Sequence, residues 1–174
     1  VCCRIDGDGQ PIESVDAYRA LPSLSHIGRV DWLLSLPYLD DEAHALLACR
    51  ALFATAARPD GYLFVDPPQD LDRTMDACHG LLDTRCNPRP AFHALRSLNT
   101  LLHAYRGSGY TQTKGAYRMH SSLGRIELLS AGEEPSLRGQ DVRSYDLVNG
   151  TVGKGNVRAD TNAEPTLQMH WSSP

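Results

Sequence analysis

Apolar residues recur at three- and four-residue spacing through Phe92, Leu95, Leu98, Leu102 and Tyr105, while Arg96, Asn99, Thr100 and His103 occupy other faces. The pattern predicts one amphipathic helix from Ala91 onward. Asn87 suits the N-cap, Pro88 the first helical position, and Pro90 still lies in the first turn, where a missing N–H breaks no intrahelical bond. Gly107-Ser108-Gly109 ends it. A second helix opens at Asp40-Asp41-Glu42, with an aspartate at the cap and acids in the first turn, and runs through Leu46, Leu47, Arg50 and Phe53 as far as Ala57. Arg58-Pro59-Asp60-Gly61 breaks it.

Strands are predicted on either side. Tyr62-Leu63-Phe64-Val65 is uniformly apolar, the pattern of a short strand buried on both faces of a parallel sheet. Upstream, the turn cluster Asp6-Gly7-Asp8-Gly9 leads into Ile12 and Val15, a strand entered from a tight loop. The stretch from Val30 to Leu36 fits a helix or a strand equally, and gives Trp32 a packing role. Past Gly109 the period changes to two. Tyr117 and Met119, Ile126 and Leu128, and Leu167, Met169 and Trp171 alternate with polar residues, and Asn149-Gly150 is a strong tight-turn signal. The fold class expected is therefore α/β followed by all-β, divided at 1–107 and 108–174, the second part holding four to six antiparallel strands.

Composition narrows the chemistry. The chain has 174 residues, 41% hydrophobic and 22% charged, which is ordinary for a soluble protein. A formal charge of −4 with no cluster of Lys and Arg argues against a nucleic-acid binder. No apolar run approaches the ~20 residues that span a bilayer, so no membrane role is expected. The five cysteines form no Cys-x-x-Cys pair and have no histidine at zinc-finger spacing, so neither metal nor cofactor is expected. Cys78 and Cys86 flank a loop and would pair only in an exported protein. Serine-elbow, phosphate-loop, HExxH and dinucleotide motifs are absent from the sequence. Because the chain begins at Val1, in what reads as the approach to a strand, it is expected to be the C-terminal part of a longer protein.

Gly80-Leu81-Leu82-Asp83 followed by Asn87-Pro88-Arg89-Pro90-Ala91-Phe92 resembles the approach to the closing helix in the clan-A type (β/α)8-barrel glycoside hydrolases, retaining enzymes with catalytic glutamates on strands four and seven. Tyr145-Asp146-Leu147 before Asn149-Gly150, and Glu164-Pro165-Thr166-Leu167 before the last strand, resemble the β-sandwich that follows many of those barrels. The resemblance implies a partial barrel, its last strands and helices, plus a small antiparallel β-sandwich. Residues 12–16 would then be strand seven and residues 62–65 strand eight.

In that family the nucleophile comes five residues after a proline on strand seven, which from Pro11 lands on Asp16. Glu13 is the competing carboxylate, but strand alternation puts Ile12, Ser14 and Asp16 on one face and Glu13 on the other. Asp16 is one methylene shorter than the family's glutamate, and retaining hydrolysis holds its two carboxyl groups about 5–5.5 Å apart. Either the backbone compensates or the protein is a degenerate relative. Tyr18 and Trp32 are candidates to stack on sugar rings. Asp66, Gln69 and Asp70, past the end of the apolar strand, are candidates to bond sugar hydroxyls, and a solvated acidic loop explains them equally. The partners implied are carbohydrate and the missing N-terminal barrel portion, and the compartment implied by the resemblance is secreted or extracellular. With the acid/base on an absent strand, the segment alone should hydrolyse nothing. A non-catalytic carbohydrate-binding or assembly module is the alternative.

Overall fold

The computed structural model describes residues 2–6, 29–37, 39–56, 61–73, 76–78, 80–105, 109–113, 116–129, 136–137, 142–154 and 166–171. Its first half is a three-stranded parallel sheet, β1 (Cys2–Asp6), β2 (Asp31–Ser35) and β3 (Leu63–Asp66), in that spatial order. Helix α1 (Asp41–Ala56) joins β2 to β3, so β2-α1-β3 is a parallel β-α-β unit. A two-stranded hairpin, β4 (Leu71–Arg73) and β5 (Asp76–Cys78), follows, and then α2 (Pro90–Leu102) with a 3-10 turn at His103–Tyr105.

Local chemistry explains both helices. Asp40 caps α1, its Oδ1 accepting the Ala43 N–H at 2.7 Å. Eleven residues of α1 are buried, on every side of the helix, because it lies between the parallel sheet, α2 and the second half of the chain. Helix α2 starts later than its sequence suggests. Arg89 is the N-cap residue and Pro90 sits in the first turn, while Asn87 stays outside the helix. Asn87 is held elsewhere: its backbone N–H and Nδ2 both donate to Asp83, at 2.7 and 2.8 Å. The buried stripe of α2 is Ala91, Ala94, Leu98 and Leu102, continued by Tyr105, and is centred on the alanines rather than on Phe92.

The second half is one antiparallel sheet of six strands: β6 (Gly109–Thr113), β7 (Ala116–Ser121), β8 (Gly124–Leu129), β9 (Val142–Asp146), β10 (Val152–Lys154) and β11 (Thr166–Trp171), in the order β10-β9-β11-β8-β7-β6. Asn149-Gly150 turns the chain between β9 and β10, with Gly150 at φ +69°, a value L side chains rarely adopt. Asp146 anchors that turn by accepting the Val148 and Asn149 N–H groups, both at 3.0 Å. A facing second sheet of a sandwich is not among the described residues. Instead Tyr117, Met119, Ile126 and Leu128 face the helices and share one core with Trp32, Phe53 and Leu98. Arg50 of α1 reaches over the Tyr117 ring, 5.7 Å from its centroid. The core therefore runs unbroken from the parallel sheet to the antiparallel one.

Candidate functional site at the open face of the parallel sheet

Alternation along β2 sends Val30, Trp32, Leu34 and Leu36 into the core and leaves Asp31, Leu33 and Ser35 on the opposite face. Register then fixes what stands beside them on β3: Leu33 pairs with Phe64 and Ser35 with Asp66. Leu63 and Val65 pack toward the core, whereas Phe64 is 51% exposed. The expectation that this strand is buried on both faces fails, because one face of the parallel sheet carries no covering layer among the described residues. That face holds an apolar row, Leu33 and Phe64, below a polar row at the C-terminal ends of the strands. The polar row therefore holds Ser35 and Asp66, and Asp6 of β1 occupies the backbone register position next to Ser35. The Leu36 N–H donating to the Asp66 carbonyl at 2.8 Å closes this end of the sheet.

At the opposite end, Asp31 ties the strands together. Arg29 Nε donates to Asp31 Oδ1 and Oδ2 at 2.8 and 3.0 Å, the Tyr62 N–H adds a third bond at 3.2 Å, and the guanidinium lies 4.4 Å from the centre of the Tyr62 ring. The hydrogen bond from Arg29 holds the Asp31 carboxyl below its usual range.

Two of the predicted site residues, Gln69 and Asp70, are engaged in holding loops. Arg89 donates to Asp70 from one guanidinium nitrogen and to Asp41 at 3.1 Å from the other, tying the loop after β3 and the start of α1 to the start of α2. The bond to Asp70 raises the Arg89 pKa further. Asp70 also accepts the Gly80 N–H at 2.7 Å, and Gly80 must lack a side chain there, since a Cβ would stand 2.4 Å from the Gln69 backbone. Gln69 Nε2 donates to the Thr84 carbonyl at 3.3 Å. Asp83 accepts from Asn87 and Arg85, and these bonds, the Asn87 side chain first, pull its carboxyl below the ordinary value. The Gly-Leu-Leu-Asp and Asn-Pro-Arg-Pro signals are thus two sides of one braced loop.

Among the candidate residues, Trp32 is only 2% exposed and lies within the core. Asp66 is exposed at the strand end, and its carboxylate makes no hydrogen bond among the described residues. Glu13, Asp16 and Tyr18 lie outside the described residues. The described strand hydrogen-bonded to β3 is β2, residues 31–35, which the sequence left open between helix and strand. The available signal was the buried alternation of Val30, Trp32, Leu34 and Leu36, which is compatible with a helix until the tertiary partners are known. No group of three or more His, Cys, Asp or Glu suited to a metal ion occurs among the described residues.

No protein-family model matches the sequence, and no curated protein is detectably similar to it. Two solved structures resemble it in part. One is a family 39 glycoside hydrolase from the gut symbiont Bacteroides cellulosilyticus WH2, with a TM-score of 0.60, 15% identity, and coverage of 92% of this chain and 37% of the other. A second is a monomeric beta-xylosidase from Caulobacter crescentus CB15, with a TM-score of 0.40, 12% identity, and coverage of 92% of this chain and 48% of the other. The chain thus spans between about a third and a half of the length of these structures, and what it shares with the first is the fold: a parallel β-α-β unit, its helices and an antiparallel sheet, in part of a glycoside hydrolase structure.

Proposed function

We propose that this chain is the last part of a glycosidase-like (β/α)8 barrel, with its trailing β domain, in which the strand that carries the nucleophile of retaining glycosidases has no carboxylate at its end. Three features support the barrel. Consecutive strands are parallel and adjacent in chain order, α1 packs on one face of the sheet with α2 against it, and the other face presents Leu33 and Phe64 where a barrel packs its interior layers. Both outer strands, β1 and β3, have a second edge without a partner among the described residues, which further strands would take up. On this reading β3 is the eighth strand, β2 the seventh and β1 the sixth.

The observation that carries the functional half is the Ser35–Asp66 register pair. Active sites of such barrels stand at the C-terminal ends of the strands. A retaining mechanism needs one carboxylate to attack the anomeric carbon and a second, about 5–5.5 Å away, to protonate the leaving oxygen and later activate water. The seventh strand here ends Leu33-Leu34-Ser35-Leu36, with a serine where a retaining enzyme of this kind carries its carboxylate. Asp66 remains as an exposed hydrogen-bonding group at the mouth. Such a site binds sugar hydroxyls and leaves the glycosidic bond intact.

Calorimetric binding of xylo-oligosaccharides and release of nitrophenol from aryl glycosides, both measured on the full-length protein and its Asp16→Asn variant, test this. Binding without turnover, unchanged by Asp16→Asn, is the expected result. Turnover that Asp16→Asn abolishes overturns the degenerate reading, and absence of any sugar binding overturns the carbohydrate reading.

A further inference from the structure

We draw no further inference here: the strongest candidate, the cavity of about 980 Å³ beside β7 and β8 of the antiparallel sheet, leaves Arg125 as the one uncommitted guanidinium of its described lining, since Arg118 and the Ser136 hydroxyl are bonded to buried Glu127, and nothing in the structure shows what covers it.

Discussion

Removing Arg89 should disconnect three segments at once. In the wild type its guanidinium bridges Asp41 at the start of α1 and Asp70 in the loop after β3. The two halves are unequal. Asp41 has 44% of its side chain exposed, so that pair contributes under about 1 kcal/mol. Asp70 is only 12% exposed, and Arg89→Ala leaves its carboxylate desolvated and without this charged partner, a loss of about 1–3 kcal/mol. The sum is about 2–3 kcal/mol, which lowers the melting temperature of a domain this size by about 5–10 °C. A double-mutant cycle isolates the pair: Asp70→Asn removes the charge that needs compensation, so Arg89→Ala should cost at least ~1 kcal/mol less in that background. Urea unfolding of the four proteins supplies the numbers. Additive effects within ~0.3 kcal/mol would refute the claim that this ion pair braces the loop.

Three further outcomes follow from the same geometry. The Asp83 carboxyl, depressed by its bonds to Asn87 and Arg85, stabilises the turn above the ordinary carboxylate pKa of about 4 and loses that contribution as pH falls through its lower folded value, so its carbon resonance should titrate below ~4; a midpoint at or above 4 contradicts the bonding. Cys86 carries an exposed free thiol, so the Cys78–Cys86 pairing considered from sequence is not formed, and it should react quickly with a thiol reagent; Cys49 is fully buried, which pushes its thiol pKa far upward, and labelling of Cys49 before unfolding would contradict that burial. Phe64→Ser should cost under ~0.5 kcal/mol in the 174-residue chain, where the ring is half exposed, but about 3 kcal/mol in a longer protein whose strands cover that face; equal small costs in both denaturation series would argue against a covering layer.

Local signals were readable wherever the chemistry is local. The Asp40 cap, the proline-opened α2, the Asn149-Gly150 turn and the period-two strands all depend on neighbours within a few residues, and each is present in the structure. What escaped depends on contacts between distant residues. Arg89 and Asp70 are 19 positions apart, and only the loop geometry makes one the counter-ion of the other. Residues 30–36 suit a helix or a strand until α1 and β3 claim opposite sides of them. An apolar run such as Tyr62-Leu63-Phe64-Val65 cannot say which of its faces meets solvent. Counting from Pro11 selects Asp16, which lies outside the described residues, whereas the pairing of β3 with the segment ending in Ser35 depends on tertiary contacts.

The central claim is that the penultimate strand lacks a nucleophile. A 2-deoxy-2-fluoroglycoside with a good leaving group traps the covalent glycosyl-enzyme that every carboxylate-based retaining glycosidase forms. Intact-mass spectrometry of the full-length protein after incubation should show no added sugar. An adduct mapped by peptide digestion to Asp16, or to any carboxylate of this chain, would contradict the account.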